Sequence, residues 1–336
     1  MIMTYEFDYL VFIGRFQPFH DGHKFVVTEA LQRAKNIIML IGSANSPRTI
    51  KNPFSFDERK QMIVGAFGDT EVIDGAARIH CLPIDDTLYN DHQWLYNIQS
   101  ALHHQTQGQD RIGIIGHTKD DSSYYLSLFP NWSAIDLPSF ENLSATPLRK
   151  AYFEQGIIDE RMPNASQNFL QSFISTPDYM RLKQEYQHIQ AFKAEWKDAP
   201  YPPIFCTADA LVVQAGHVLL IERGGEYGHG LWALPGGFLD KDEKWLTCAL
   251  RELQEETGLI VHQDQIKSQE IFDAPDRSPR GRTITNVFYA ELTGDALPNV
   301  KGGDDASRAF WLPLHELDGK QMFEDHYSII MKMLGL

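Results

Sequence analysis

Two short stretches hold side chains that could do chemistry on phosphate esters. In GRFQPFHDGH, Gly14 to His23, two imidazoles three residues apart follow an apolar run and open the helical pattern HKFVVTEALQRAK. The first N–H groups of a helix are unpaired and its dipole favours an anion, so a phosphate would sit there. Gly22 lets the backbone come close, and His20, His23 and Arg15 can donate to phosphate oxygens as charge builds on them. In RELQEETG, Arg251 to Gly258, helical spacing stacks Glu252 over Glu255 and Glu256, a like-charge arrangement that costs roughly a few tenths of a kcal/mol per pair. Carboxylates gathered this way are the donors that hard divalent cations take. A bound cation would cancel the repulsion and polarise both a water and a diphosphate. Histidines at a helix start are also ordinary surface residues, and a row of glutamates also makes a solvated face, so the surroundings must decide.

Upstream of the glutamates lies GLWALPGGFLDKDEKWLTCAL. From Gly237, five residues precede Glu243 and seven more precede Arg251; Glu252, Leu253, Glu255, Glu256, Gly258 and Leu259 follow. Trp245, Leu246, Ala249, Leu250 and Leu253 make one apolar stripe, which leaves the glutamates on another face, and Gly258 is a natural left-handed cap. With every fixed position filled, the segment resembles the Nudix box. The resemblance implies hydrolysis of a nucleoside diphosphate linked to a further group, with Mg²⁺ or Mn²⁺ held by the carbonyl of Gly236 and by Glu252, Glu255 and Glu256, of which Glu252 and Glu256 are also catalytic. Arg251 then orients a glutamate, and Glu243 supports the ligands or caps the helix. The general base stays open among Glu252, Glu256, Asp304, Asp305 and Glu316. The run FDAPDRSPRGRTIT (272–285) is similar to a segment of Nudix ADP-ribose pyrophosphatases. Arg277, Arg280 and Arg282 would meet phosphates or the adenine, or would simply belong to an Arg/Pro/Gly turn. The implied reaction gives AMP and ribose 5-phosphate from ADP-ribose.

The first stretch has company too. GRFQPFHDGH, GSANSPRTIKNPFSFDER (42–59), GHTKDDSSYYLSLFPNW (116–132) and SATPLR (144–149) resemble, in order, the nicotinamide mononucleotide (NMN) adenylyltransferases of the archaeal type, over about the first 155 residues. The resemblance implies NMN plus ATP giving NAD and pyrophosphate, with Mg²⁺. It makes His20, His23 and Arg149 catalytic on the ATP phosphates and assigns Gly14, Arg15, Phe16, Lys51, Asn52 and Thr146 to substrate binding. Trp94, in YNDHQW, would stack on the nicotinamide ring or belong to the core. No base is required, because the NMN phosphate is already an anionic nucleophile.

The elements that must position these residues follow from pattern. Residues 1–155 alternate β-type runs (9–13, 36–42, 78–84, 111–116) with helical ones, which means a parallel sheet with crossover helices, a Rossmann-like nucleotidyltransferase domain. Ser55 to Glu58 reads as a capping box, and Thr146 before Pro147 as an N-cap. Residues 156–202 read as a helical connector that the prolines of DAPYPP end. Residues 203–336 mix strands (205–213, 217–223, 283–292) with a helix at about 241–257 and a closing one at about 323–334, an α/β/α Nudix sandwich on a mixed sheet. The whole is α/β. A net charge of −15 over 336 residues opposes nucleic acid as a partner. No apolar run is long enough to span a membrane, and three scattered cysteines suit a reducing cytoplasm. The expected partners are ATP, NMN or NAD, and ADP-ribose; a homo-oligomer stays open.

Overall fold

A computed structural model describes residues 5–68, 72–73, 76–108, 111–117 and 128–336. Residues 118–127 of the 116–132 stretch lie outside the described residues. The chain forms two compact units, Met1–Lys183 and Gln184–Leu336. The boundary falls inside helix α6 (Pro177–Glu195), within the segment expected as a connector.

Unit 1 contains β1 (Phe7–Gly14), α1 (Asp21–Arg33), β2 (Ala34–Ile41), α2 (Phe56–Gly65), a small β3–β4 pair (Val72–Ile73, Ala76–Ala77), β5 (Ile79–Pro83), α3 (Asp91–Thr106), β6 (Ile112–Gly116), β7 (Ser133–Asp136), α4 (Ala145–Gln155), α5 (Asn164–Phe173) and the start of α6. Its parallel sheet has the order β5-β2-β1-β6-β7. The order reverses direction at β1, so the crevice beyond the carboxyl ends of β1 and its neighbours is where such sheets take ligands. Val11, Ile13, Ile38, Leu40 and Ile114 of the central strands pack with Ile98 and Leu102 of α3. This is the all-apolar signature of strands covered on both faces.

Two start signals came out differently. Ser55 caps α2 as expected, with a reciprocal Ser55–Glu58 box. Helix α4, however, begins at Ala145 behind Ser144, so Thr146 is inside the first turn and is not the cap. Pro147 is then still within the N–H groups that have no helical partner, which is why it does no harm there.

Unit 2 contains β8 (Ile204–Gln214), β9 (His217–Arg223), β10 (Trp232–Ala233), β11 (Gly236–Phe238), α7 (Trp245–Thr257), β12 (Ile266–Phe272), β13 (Arg282–Leu292), β14 (Ala306–Pro313) and α8 (His326–Leu334). Strand order is β10-β9-β8-β13-β12, with β11 on β8 and β14 on β9; β8 and β13 run parallel and the other named pairs antiparallel. Ala208, Ala210 and Val212 of β8 face Cys248, Ala249 and Leu253 of α7. Alternation puts Thr207 and Asp209 on the opposite face. The helix starts at Trp245, later than patterning suggested, because Lys241 and Asp242 form a turn closed by the Glu243 N–H on the Asp240 carbonyl.

Candidate active sites

In unit 1, His20 occupies the N-cap of α1 and His23 its N3 position, and the two make a reciprocal capping box. Their rings stack with centroids 3.7 Å apart. His23 is walled by Phe16 (5.0 Å), Phe19 (5.6 Å) and Phe12 (6.2 Å). A methyl group at position 22 would stand 3.0 Å from Cε1 of His20, so glycine is what lets that imidazole lie over the helix start. The ring of Phe16, expected at the substrate, is instead buried and holds His23 from behind. Its φ of 52° is rare for an aromatic residue and turns the chain sharply after Gly14.

Arg149 of α4 reaches this crevice. It donates to the Gln17 carbonyl (2.6 Å) and to Thr146 Oγ1 (3.4 Å). Burial, and then the neighbouring Arg15, lower its pKa to about 10. Two guanidiniums drawn together in this way make a place for an anion. Arg59, the residue after the Ser55–Glu58 box and given no role from the sequence, has no exposed surface. It donates to the carbonyls of Arg15 (2.9 Å), Gly42 (2.6 Å), Ser43 (3.2 Å) and Ser55 (3.1 Å), tying the ends of β1 and β2 together. Asp86, beyond β5, accepts from both the N–H and the hydroxyl of Ser43. Asn52, in the loop with Lys51, keeps Oδ1 buried without a partner. Trp94 is half-buried on α3 and packs on the core cluster, leaving part of the ring outside.

In unit 2 the glutamates of α7 meet β11. The carboxylate of Glu252 takes the space that a side chain at Gly237 would need, since a Cβ there would be 2.3 Å from Oε1. Glu256, almost fully buried, accepts from the Gly236 N–H at 2.9 Å. Pro235 accepts from Ala210 on β8 and Leu239 donates to Cys206 of the same strand. Ladder groups alternate along a strand, so Gly236 turns its carbonyl, like its N–H, away from β8 and toward the carboxylates. Arg251 forks onto Glu243 (3.0 Å twice) and bonds Glu252 and Glu255 at 2.8 Å each. The repulsion along the helix is thus partly met by an arginine from its own turn, and Glu243 proves to be that arginine's anchor and not the cap, which is Lys244.

Burial raises Glu252 above the usual carboxylate range. It pushes Glu256 to about 9, with contact from the Asp305 carboxyl adding to the rise. Carboxylate oxygens gathered beside a carbonyl turned toward them fit a divalent cation. Among the described residues no three acidic, His or Cys side chains already converge on one point; a cation has to draw Glu252 and Glu255 from Arg251.

The three arginines of 272–285 divide. Arg277 is interior, forked onto Asp325 at 2.7 and 2.9 Å, so its guanidinium is already spent. Arg282 is near the surface and bonded to Asp273. Arg280 is mostly buried, packed on Tyr227 and Phe238 and facing the Glu324 carboxylate at 4.0 Å. Asp209, also missed in the sequence, fits against Gly236, accepts from the Thr285 hydroxyl and is raised by burial to about 6. His326 accepts from the Leu234 N–H at 2.9 Å, and burial holds it neutral with a pKa of about 3.

Comparison with known proteins places each half of the chain in a family. Residues 11–106 match the Cytidylyltransferase-like family and residues 206–333 the NUDIX domain. The nicotinamide/nicotinic acid mononucleotide adenylyltransferase of Acinetobacter baylyi is 44% identical over 54% of this chain and 95% of its own. A bifunctional NMN adenylyltransferase/ADP ribose pyrophosphatase from Francisella tularensis, of known crystal structure, is 37% identical with a TM-score of 0.92, covering 98% of this chain and 99% of that one. The same type of enzyme complexed with AMP and Mn ion is 36% identical with a TM-score of 0.91, covering 98% and 99%. By its two sites and by a likeness that runs its whole length, the chain belongs to the family of bifunctional NMN adenylyltransferase/ADP-ribose pyrophosphatases.

Proposed function

We propose that unit 1 makes NAD and pyrophosphate from NMN and ATP, and that unit 2 hydrolyses ADP-ribose to AMP and ribose 5-phosphate, in the cytoplasm. One observation carries the reading: each unit draws like charges together under burial, Arg15 with Arg149 in one and Glu252, Glu256 and Asp305 in the other. The first arrangement suits a polyphosphate and the second a divalent cation.

In unit 1 an oxygen of the NMN phosphate attacks the α-phosphorus of ATP, and the bond to the β-phosphate breaks. His20 and His23 donate to the α-phosphoryl oxygens, Arg149 and Arg15 hold the β- and γ-phosphates, and Lys51, Asn52, Thr146 and Trp94 place the two substrates. Alignment and charge stabilisation account for the rate. In unit 2 a water oxygen bonds to one phosphorus of the diphosphate while the bridging P–O bond breaks. Gly236, Glu252, Glu255 and Glu256 would hold Mg²⁺ or Mn²⁺, which supplies positive charge to the diphosphate and makes a water more acidic. Arg251 keeps the glutamates in place before the cation arrives. The balance of −15 favours such small partners over nucleic acid.

The test is to supply the purified chain with Mg²⁺ and, separately, NMN plus ATP or ADP-ribose. NAD and AMP should form. Absence of NAD would sink the first half of the reading, and tight ADP-ribose binding without turnover would turn unit 2 into a sensor.

A further inference from the structure

Arg48 stands in the loop between β2 and α2, just ahead of Lys51 and Asn52, and its guanidinium reaches three helices. It forks onto Glu58 of α2 at 2.8 and 3.0 Å. Through Nε it meets Asp178, in the first turn of α6, at 3.2 Å. It also lies 5.3 Å from the ring centre of Phe173, the last residue of α5. Glu58 is itself fixed, because it accepts from the Ser55 N–H at 2.7 Å. The same guanidinium donates across the loop to the Pro53 carbonyl at 2.6 Å, and the Arg48 carbonyl accepts from Arg181 of α6 at 3.1 Å. Between these two points the chain closes on itself: the Thr49 N–H bonds the Asn52 carbonyl and the Asn52 N–H bonds the Thr49 hydroxyl, both at 3.3 Å. Arg48 thus pins the entry and the exit of the turn that carries Lys51 and Asn52. Just past the exit, the Gln17 side chain donates to the Phe54 carbonyl at 3.0 Å and accepts from the Phe54 N–H at 2.9 Å, while the Gln17 carbonyl holds Arg149. One end of the loop is therefore joined to the phosphate crevice and its base to α2, α5 and α6.

We infer that Arg48 is a positioning residue for adenylyl transfer, holding the turn of Lys51 and Asn52 against the substrates from the helices of unit 1. This rests on the reading of Lys51 and Asn52 as substrate-binding residues. With the carboxylates of Glu58 and Asp178 both upon it, the charge of Arg48 is answered within the protein, so it acts through the turn and not on a phosphate. A planar fork can meet one carboxylate with two nitrogens and still reach a carbonyl and a second carboxylate, which the point charge of a lysine does not do. The demand for such a frame is steep, because a displacement of about 1 Å in a positioning group can cost about a hundredfold in rate. Asp178 and Arg181 come from the segment expected as a mere connector, and this assigns its first turns to the working parts of unit 1.

The experiment uses the full chain with NMN, ATP and Mg²⁺. Arg48→Met should lower kcat/KM for NAD formation by about tenfold to a hundredfold. Lys51→Met with Asn52→Ala measures what the turn itself contributes. Adding Arg48→Met to that pair should cost no more than about twofold further, since residues that act through one another do not add. Asp178→Asn removes a half-exposed partner at little cost in stability and should lower kcat/KM by about twofold to fivefold; that loss should also vanish in the turn variant. If Arg48→Met fails to fold, Asp178→Asn decides alone. Wild-type kcat/KM in Arg48→Met and Asp178→Asn would overturn the inference. So would losses that multiply with those of the turn variant, as they would for an arginine that serves only the fold. A turn variant with wild-type kcat/KM would end the reading of Lys51 and Asn52, and the inference with it. Should wild type form no NAD, the functional reading fails first. ATP calorimetry then tests the tie alone: Arg48→Met weakens ATP by the same factor as the turn variant, or leaves the isotherm unchanged and ends the inference.

Discussion

Glu256 combines burial, a hydrogen bond from Gly236 and contact with Asp305 in one side chain. Its carboxyl is moved from an ordinary 4.5 to about 9, chiefly by burial. A carboxyl raised on folding keeps a proton that the unfolded chain has lost, so its contribution to stability is whole below 4.5 and is gone once pH has risen through about 9. The metal-free protein should therefore melt lower as pH climbs across the neutral and mildly alkaline range. With saturating Mg²⁺ the proton is displaced and that slope should flatten. The same exchange makes cation binding release a proton, so Mn²⁺ affinity should strengthen by up to about tenfold per pH unit until about pH 9. Melting curves in chelator and in Mg²⁺, with Mn²⁺ titrations at matched pH, check both. A pH-independent Mn²⁺ affinity would mean that Glu256 does not hold the cation. Beside it, Gly237→Ala puts a methyl group 2.3 Å from Glu252 Oε1, and should weaken Mn²⁺ binding while leaving NAD formation at the wild-type rate.

Helix α2 acts on the ends of β1 and β2 through Arg59, which supplies donors to four carbonyls and is itself lowered by burial to about 10. Arg59→Met removes those donors where water cannot replace them, at a cost of about 3 kcal/mol or more. Arg59→Lys keeps the charge but loses the fork. Both should lower the denaturant midpoint of unit 1, and NAD formation should fall even in the lysine variant; equal activity would show that the Gly14–Arg15 and Gly42–Ser43 ends need no such tie. Much of this level could be read from residue order. The βα alternation, the Ser55–Glu58 cap, the placing of His20 and His23 and the stripe of α7 all depend on neighbours close in sequence. Arg59 and Asp209 could not be found that way, because their roles depend on partners far along the chain. Arg277 misled for the same reason: an arginine in a Pro/Gly loop looks free until Asp325, from the start of α8, is brought against it. Thr146 misled locally, since Ser144 offers an equally good start two residues earlier.

At the scale of the chain, one unit closes an adenosine 5′-diphosphate linkage and the other opens one, and each has its own core and its own charged site. Ligands that bind only the folded state raise its melting temperature by mass action, about 2.7 kcal/mol at a hundredfold excess over Kd. This makes the two sites separable without measuring turnover. Glu252→Gln with Glu256→Gln should abolish the melting shift caused by Mg²⁺ with ADP-ribose and leave that caused by Mg²⁺ with ATP. His20→Ala with His23→Ala should do the reverse, removing interactions with the ATP phosphates that would also slow NAD formation by about a hundredfold or more. Each double variant thereby serves as the folding control for the other. If either pair removed both shifts, binding in one unit would depend on the state of the other, and the two reactions would have to be treated as coupled.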